Sequence, residues 1–274
     1  MSVEEGSTAS IGIFDSGFGG LTVMRAIKNA LPSENIIYFG DTARLPYGNK
    51  SAETILRYSI ENASFLIEQN IKTLVIACNT ACSAFAVERL QHMFDIPIIG
   101  VIRPAIEQVL QASKSGKIAI LGTRATISSG IYQQNIQQRL PRAELSAIAC
   151  PLFVPLVEEG YIEHPLTEMV VQEYLRQLKR KEIDSVLLAC THYPLLQPII
   201  RKELGSNVEL VDPAISCAEA IKKHLIENSL GNPQKELPHY QFYVSDDPEK
   251  FRLLGNIFLN YPIEHVVSWQ PINR

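Results

Sequence analysis

Two short segments of this chain resemble each other, and each carries a cysteine at the same place. The first is LVIACNT, residues 74–80, and the second is VLLACTH, residues 186–192. In both, an apolar run of strand length ends in Ala-Cys and continues into polar residues that form hydrogen bonds. Two thiols at equivalent places in two similar halves suit a reaction that moves protons on both faces of one carbon atom. Cys78 and Cys190 are therefore the first candidates for catalysis.

Both thiols are predicted to lie between a strand and the start of a helix. Cys78 precedes the predicted helix 79–87, and Cys190 precedes Pro194, which suits the first turn of a helix. Backbone N–H groups at such a place favour thiolate over thiol. His192 follows in the same loop and can transfer protons at neutral pH. The remaining cysteines are expected to be buried and inert: Cys82, Cys150 and Cys217.

Two other kinds of site remain open at this point. Cys78, Cys82, Cys190 and His192 could form a four-ligand zinc site. However, Cys190 lies 108 positions after Cys82, and this is no recognisable finger spacing. The second alternative is a two-lobed protein that binds an amino acid and needs neither thiol. A zinc enzyme would lose its activity when the metal is removed. A binding protein would keep its function without either thiol, and a two-thiol enzyme would not.

Strand-like and helix-like patterns alternate along the whole chain. The short runs rich in Ile, Val and Leu are 11–14, 36–39, 74–77, 96–99, 118–121, 145–149, 186–189 and 208–211. The amphipathic stretches include 21–30, 51–69, 104–113, 165–180 and 214–228. This alternation predicts an α/β protein with mainly parallel sheets covered on both faces. Sites in such proteins lie at the carboxyl ends of the strands.

Three pairs of segments suggest that the fold contains two related halves. Residues 11–16 resemble 118–123, the two cysteines are 112 positions apart, and 100–105 resemble 210–214. We therefore expect two similar, pseudo-symmetric α/β domains with the active site in the cleft between them. Residues 1–100 plus 213–274 would form the first domain, which carries Cys78. Residues 101–212 would form the second, which carries Cys190.

The loops after other predicted strands add polar candidates. Asp15 and Ser16 lie in the glycine-rich loop 14–20, which is neither a Walker loop nor the dinucleotide-binding pattern. This loop suits a small molecule with a carboxylate or an amino group. The loop 40–48 carries Asp41 and Tyr47, with Pro46 and Gly48 as turn formers. Thr123 and Thr126 follow another predicted strand, and their hydroxyls are candidates for binding a ligand. Glu158 is expected from its position to be a solvated charge on a helix.

Composition narrows the class of protein and its partners. The chain has 274 residues and a net charge of −4, without a basic run interleaved with aromatics, so nucleic acid is not an expected partner. No apolar stretch reaches the roughly 18–20 residues of a membrane span, and residues 1–10 do not resemble a signal peptide. Five scattered cysteines predict reduced thiols in a cytoplasm-like compartment.

Five segments taken together resemble the cofactor-independent aspartate/glutamate racemase family. In order along the chain they are 14–17, 40–48, 77–81, 153–160 and 188–195. The resemblance extends from Ile11 to Leu259. It implies two facing α/β domains, a substrate between them and one cysteine from each side. It also implies that no cofactor and no metal is needed, although the sequence alone leaves pyridoxal phosphate open.

The resemblance also implies roles for individual residues. Cys78 would remove the α-proton from D-glutamate and Cys190 from L-glutamate, with Asp15 and His192 as their respective assistants. Asp41 and Glu158 would be further helpers. The residues implied to bind substrate are Asp15, Ser16, Pro46, Tyr47, Gly48, Asn79, Thr80, Thr123, Thr191 and His192.

Aspartate racemases commonly carry an acidic residue at the place of His192, which favours glutamate as the substrate of this chain. The resemblance further implies a cytoplasmic role in supplying D-glutamate for peptidoglycan. It is compatible with a homodimer.

Overall fold

The structure is a computed structural model that describes residues 7–234 and 236–270. Of the first ten residues, which were predicted not to be a signal peptide, only 7–10 belong to the described part. The chain forms two α/β units, each built around a parallel sheet. Within the described ranges, no helix has the length and apolar character needed to cross a membrane.

The first sheet has six strands in the order β10-β9-β2-β1-β3-β4. Their bounds are β1 Ile11–Asp15, β2 Ile36–Gly40, β3 Thr73–Ile76, β4 Ile98–Gly100, β9 Tyr240–Val244 and β10 Val267–Ser268. The second sheet has four strands in the order β6-β5-β7-β8. Their bounds are β5 Lys117–Gly122, β6 Glu144–Ala149, β7 Ser185–Ala189 and β8 Glu209–Val211. All neighbouring strands in both sheets are parallel.

Helices cover these sheets and connect the strands. In chain order they are α1 Leu21–Ala30, α2 Ala52–Glu68, α3 Asn79–Ser83, α4 Ala86–Gln91, α5 Ile102–Ala112, α6 Arg124–Ser129, α7 Ile131–Arg139, α8 Phe153–Glu158, α9 Pro165–Leu175, α10 Gln197–Leu204, α11 Pro213–Glu227 and α12 Pro248–Leu259. Polar side chains cap several of them: the Ser51 side chain accepts a hydrogen bond from the Thr54 N–H, and Asp212 accepts one from the Ala214 N–H. These caps satisfy backbone donors that a helix start leaves free.

The two sheets repeat the same arrangement of strands. The order β2-β1-β3-β4 in the first corresponds to β6-β5-β7-β8 in the second. Segments 11–16 and 118–123, which resemble each other in sequence, contain the equivalent strands β1 and β5. The two Ala-Cys segments contain the equivalent strands β3 and β7. The sequence similarity therefore corresponds to equal positions in two sheets, and the prediction of a two-domain α/β fold is confirmed.

The chain passes between the sheets twice. Helix α5 follows β4 of the first sheet and precedes β5 of the second. Helix α11 follows β8 of the second sheet and packs against α1 and α5. The strands before residue 101 and after residue 239 thus form one sheet, and those between 117 and 211 form the other. The domain boundaries near residues 101 and 212 stay a prediction.

The eight predicted strands are present, with their ends shifted by a few residues at most. Strands β1, β2, β3 and β7 are buried along their whole length. A parallel strand covered by helices on both faces buries both rows of its side chains, which explains the continuous Ile, Val and Leu runs. The sequence analysis did not predict β9 and β10. The aromatic and β-branched residues of segment 240–244 were the available signal.

The predicted helix 79–87 is wrong as a single helix. It is divided into α3 and α4 at Phe85, whose φ of 60° lies in the left-handed region. That conformation cannot continue a right-handed helix, so the chain turns there. The predicted helix 165–180 ends earlier than expected, at Leu175, and is followed by one short helical turn over Arg176–Leu178.

Candidate active site

A small cavity lies between the two units, at the carboxyl ends of their central strands. It is lined by Ser16, Gly17, Leu45, Pro46, Tyr47, Gly48, Cys78, Asn79, Thr80, Thr123, Val154, Glu158, Cys190, Thr191 and His192. These residues follow strands β1, β2, β3, β5, β6 and β7 in the chain. Both thiols therefore face the same space, one from each unit. The parallel sheets place polar loops from both units at a single site, as the alternating pattern predicted.

The Cys78 side of the cavity is acidic and buried. The thiol is 5% exposed, and its Sγ lies 3.6 Å from Oγ of Ser16. Burial raises the pKa of the Cys78 thiol to about 12, and the negative charge of Asp15 acts in the same direction. The hydrogen bonds from the Ala81 N–H and with Ser16 only partly offset this. In this environment Cys78 is a thiol at neutral pH and a strong base once it is deprotonated.

Asp15 lies behind Cys78 rather than on the cavity wall. It is fully buried, and its Oδ2 accepts a hydrogen bond from the Gly17 N–H at 2.9 Å. Its Oδ1 has no hydrogen-bond partner in the part of the chain that the structure describes. Burial raises the pKa of Asp15, while the charge of His192 in the other unit opposes that rise. The carboxyl group is thus coupled electrostatically to both sides of the cavity.

The Cys190 side carries a histidine held by a carboxylate. The Nδ1 atom of His192 lies 4.0 Å from Sγ of Cys190, and its Nε2 lies 2.9 Å from Oε1 of Glu158. Burial disfavours the imidazolium form of His192. The Cys190 sulfur and the Glu158 carboxylate outweigh that effect and raise the pKa of His192 to about 10. The imidazolium of His192 therefore lies beside Cys190 on this side of the cavity.

The two units meet closely beside Cys190. The hydroxyl of Thr22, in α1, donates to the Thr191 carbonyl oxygen at 3.0 Å and also contacts the Gly19 carbonyl oxygen at 2.9 Å. A Cβ at Gly19 would overlap the Thr191 side chain and lie 2.5 Å from Nδ1 of His192. Only a residue without a side chain allows this approach. The loop after β1 therefore sets the position of the loop that carries Cys190.

A second contact between the units lies on the opposite side of the cavity. Oγ1 of Thr80 in the first unit is 3.0 Å from Oγ1 of Thr123 and 3.3 Å from Oγ1 of Thr126 in the second. A Cβ at Gly48 would lie 2.9 Å from Cβ of Thr123, so this glycine also permits a close approach. The second contact thus brings hydroxyl groups of both units to the cavity.

Asp41 does not line the cavity. Its carboxylate is buried, and Ser245 Oγ donates to Oδ1 at 2.9 Å. The Arg44 Nε donates to both of its oxygens, and the Tyr47 hydroxyl donates to Oδ2. Tyr47 itself lines the cavity and also accepts from Asn62 Nδ2 at 3.1 Å. Asp41 thus holds the loop that presents Tyr47.

The remaining predicted residues divide clearly by position. Those on the cavity wall are Ser16, Pro46, Tyr47, Gly48, Cys78, Asn79, Thr80, Thr123, Glu158, Cys190, Thr191 and His192. Asp15 and Asp41 lie behind it. The sequence analysis missed Thr22, Tyr132 and Phe258, whose contacts with site residues come from distant parts of the chain. No local sequence pattern predicts contacts of this kind.

The four residues considered as zinc ligands do not surround one point. Cys82 donates from its Sγ to the Ile76 carbonyl oxygen at 3.4 Å and does not line the cavity. Over residues 7–234 and 236–270, no group of three or more His, Cys, Asp and Glu side chains is arranged to hold a metal ion. All five cysteines are buried and unpaired.

Comparison with known proteins places this geometry in a family. The glutamate racemase of Geobacter metallireducens is 46% identical over 250 residues, covering 91% of this chain and 92% of that protein. The glutamate racemase of Chlorobaculum tepidum is 46% identical over 263 residues, covering 95% and 96%. The crystal structure of Francisella tularensis glutamate racemase in complex with D-glutamate superposes with a TM-score of 0.90 at 38% identity. That alignment covers 96% of this chain and 98% of the other.

The sequence pattern of the Asp/Glu/hydantoin racemase family matches residues 11–221, which include both thiols and their partners. The match covers most of the chain, including all four strands of the second sheet and four of the six strands of the first. This chain belongs to the Asp/Glu/hydantoin racemase family.

Proposed function

We propose that this protein interconverts L- and D-glutamate by proton transfer at the α-carbon, with Cys78 and Cys190 as the two bases. The observation that carries the proposal is that two thiols, one from each unit, line a single cavity. The curated relatives that share 46% of their residues with this chain are glutamate racemases. A solved relative holds D-glutamate, which supports an acidic amino acid as the substrate.

Racemisation requires two groups because a single base returns the proton to the face it left. In the proposed reaction, the Cys190 thiolate removes the α-proton of L-glutamate, and the Cys78 thiol donates its proton to the opposite face. The products are D-glutamate, a Cys190 thiol and a Cys78 thiolate. The reverse reaction uses the same groups in exchanged roles. Atoms and charge balance without an oxidant, a reductant or a nucleotide.

The surroundings of the two thiols differ in charge. Cys78 is kept as a thiol by burial and by Asp15. On the other side, the pKa of His192 is raised to about 10, so a cation lies beside Cys190. Cys78 is thus in the form that donates a proton when L-glutamate reacts. Before the enzyme can act on D-glutamate, Cys78 must lose its proton.

The carbanion formed at the α-carbon is the costly species, because that carbon is a far weaker acid than a thiol. Hydrogen-bond donors fixed around the α-carboxylate stabilise the charge that spreads onto it. The cavity offers hydroxyls from Ser16, Thr80, Thr123 and Thr191 and the amide of Asn79. Asp15 assists Cys78 and His192 assists Cys190, and Glu158 assists by holding His192. Asp41 acts through Tyr47.

We also propose that the reaction supplies D-glutamate for peptidoglycan in the cytoplasm of a bacterium. The relatives from Geobacter metallireducens and Chlorobaculum tepidum, two bacteria, are glutamate racemases. The test is growth of a D-glutamate-requiring bacterial strain that expresses this chain. Growth without added D-glutamate supports the role, and a continued requirement despite active enzyme in the extract contradicts it. The homodimer stays a prediction, which sedimentation of the purified protein would test.

The catalytic proposal is tested by proton NMR of the purified protein with each glutamate enantiomer in D2O. Chelator is added and pyridoxal phosphate is left out. We expect the Cα–H signal and the optical rotation to disappear in parallel for both enantiomers. If glutamate is unchanged, the proposal fails, and the same assay with aspartate then identifies a neighbouring specificity or an amino-acid-binding protein.

The two-base assignment is tested by the variants Cys78→Ser and Cys190→Ser. Each is expected to lower the racemisation rate by about a thousandfold or more, because an acid–base group is lost. Cys78→Ser retains the base for the L-enantiomer, so L-glutamate should exchange its α-proton for deuterium while keeping its optical rotation. Cys190→Ser should do the same with D-glutamate only. Near-normal racemisation by either variant, or exchange of both enantiomers by each, contradicts the assignment.

A further inference from the structure

The side chain of Asn79 has two ends in different surroundings. Asn79 follows Cys78 in the chain, lines the cavity and is 2% exposed. Its Oδ1 accepts a hydrogen bond from the hydroxyl of Tyr132, with 2.5 Å between the two oxygen atoms. Its Nδ2 is buried and has no hydrogen-bond partner within residues 7–234 and 236–270. A buried amide nitrogen without a partner is costly unless a ligand satisfies it.

The hydroxyl that holds Asn79 comes from the other unit. Tyr132 lies in α7, which follows β5 of the second sheet, and its ring is fully buried. Burial raises the pKa of Tyr132 well above its usual value, so the phenol stays neutral and keeps its proton to donate. Tyr132 does not line the cavity. It is therefore placed to act on the site through Asn79 and not by touching a substrate.

We propose that Tyr132 is a positioning residue: its hydroxyl holds Oδ1 of Asn79, so that Nδ2 donates its hydrogen bonds to a carboxylate of the substrate. This inference rests on the proposed function, because it assigns a partner to that substrate. It also makes the orientation of Asn79 depend on contact between the two units.

The orientation of the amide follows from the chemistry of its neighbours. A carboxylate only accepts hydrogen bonds, and the Asn side chain carries its two donors on Nδ2 alone. With Oδ1 toward Tyr132, the phenol proton has an acceptor and both amide protons remain for a ligand. In the reversed orientation, the phenol proton would lose this acceptor and a carbonyl oxygen would face an anionic substrate. Both consequences disfavour the reversed amide.

Tyr132→Phe removes the hydroxyl and keeps the ring. We expect KM for both enantiomers to rise about tenfold, which corresponds to the loss of one hydrogen bond. We expect kcat to fall by no more than about threefold, because the thiols and the other hydrogen-bond donors around the carboxylate are untouched. The matched control is Tyr174→Phe, which removes a hydroxyl that accepts from the Leu152 N–H at 3.3 Å away from the cavity lining. Its KM should equal that of the wild type. An unchanged KM in Tyr132→Phe overturns the proposal.

A double-mutant cycle separates positioning from a general structural effect. In the Asn79→Ala background, Tyr132→Phe should produce no further rise of KM, since the side chain that it holds is absent. A tenfold rise that persists in that background overturns the proposal. Thermal unfolding of all four proteins shows whether each is folded under the assay conditions.

A measurement on the unmodified protein avoids the question of folding. The protein is labelled with 15N-asparagine, and the side-chain amide signal of Asn79 is identified by its absence in Asn79→Ala. Saturation with D-glutamate should shift that signal, whereas an unshifted signal at saturation overturns the inference. Failure of the wild type to racemise glutamate would instead overturn the proposed function. An active wild type with an unshifted signal would overturn this inference and leave the proposed function standing.

Discussion

The two thiols occupy equivalent places in two equivalent sheets, but their surroundings differ in charge. Cys78 follows β3 and has Ser16 at 3.6 Å and the buried carboxyl of Asp15 behind it. Cys190 follows β7 and has His192, which is paired with Glu158 at 2.9 Å. The two sheets share the same strand arrangement, but the loops that follow their strands carry different charged residues. Two similar halves can therefore bring two thiols to one cavity and still surround them with different charges.

This difference has a kinetic consequence. The two enantiomers have equal free energy in water, so the ratio kcat/KM must be the same in both directions. The two sides of the cavity are nevertheless unlike, with a neutral Cys78 thiol on one side and a cation beside Cys190 on the other. The individual values of kcat and KM can therefore differ between L- and D-glutamate. The following variants change one side of the cavity or the contact between the sides.

Among variants that keep both thiols, the largest effect is expected for Gly19→Ala, which disturbs the contact between the sides. The new Cβ would overlap Thr191 and crowd the ring of His192. Displacement of a catalytic group by about 1 Å lowers a rate on the order of a hundredfold. Crowding of a packed interface should also lower the free energy of unfolding by about 1–3 kcal/mol. Rates and urea unfolding are compared with Gly231→Ala, where a Cβ meets no atom within 4 Å. Equal rates for both variants would contradict the tight contact.

Glu158→Gln removes the charge that holds His192 on the Cys190 side. The rate should fall about tenfold to a hundredfold, as for the loss of a charged hydrogen bond. Without the carboxylate, the pKa of His192 should fall from its raised value of about 10, so the loss of activity at alkaline pH should begin at a lower pH. Rate profiles from pH 6 to 10 test this, with the exposed neighbour Glu159→Gln as the control.

The free energy of unfolding should also depend on pH through the protonation of His192. A raised pKa in the folded state means that protonation of His192 stabilises the protein. This contribution is fully present below the unfolded value of about 6.5 and is lost as the pH rises through about 10. The wild type should therefore exceed Glu158→Gln in free energy of unfolding at pH 6, and this difference should shrink toward pH 10. A difference that does not depend on pH would contradict a charged His192.

Asp15→Asn removes the negative charge behind Cys78. Because burial and Asp15 together raise the pKa of this thiol, loss of the charge should lower it and weaken the thiolate as a base. We expect racemisation to fall about tenfold. Thiolate absorbance against pH, measured in a Cys190→Ser background, should show Cys78 titrating at a lower pH. Asp212→Asn, at a half-buried carboxyl group that caps helix α11, should leave that titration unchanged.

The smallest effect is expected for Phe258→Leu. The Phe258 ring contacts the His192 ring edge-on, with centroids 5.2 Å apart. Such a contact is worth about 0.5–1.5 kcal/mol, so the rate should fall about threefold. Phe251→Leu is a close control: it lies in the same helix α12, is equally buried, and packs on Phe18 and Tyr38 instead. If both variants lose the same activity, Phe258 has no specific role at His192.

Much of the site could be predicted from the sequence because its chemistry is local. Each candidate segment joins a strand to the residues that follow it, and parallel strands bring their carboxyl ends to one edge. That rule applies to Cys78, Asn79 and Thr80 after β3 and to Thr123 after β5. The resemblance to a family supplied the roles and the helpers Asp15 and Glu158. The roles themselves stay predictions until the variants are measured.

Other features could not be predicted, because they depend on contacts between distant residues. The carboxylate of Asp41 lies away from the cavity wall because Arg44, Tyr47 and Ser245 hold it, and its role as a helper of catalysis stays a prediction. Ser245 lies 204 positions away. The division of the helix after Cys78 depends on a single left-handed residue, Phe85, which is not a residue that commonly adopts this conformation.

The sequence by itself determined the two-fold α/β plan, the two thiols and the loops that carry the polar groups. It could do so because apolar periodicity and residue order act over short distances. Only the tertiary structure decided which glycine lets the units touch, which hydroxyl holds Asn79, and that one thiol faces a carboxyl group and the other an imidazole. Those outcomes depend on burial and on distances of a few ångströms between residues far apart in the chain. The strength of a charge or a hydrogen bond depends on those same quantities.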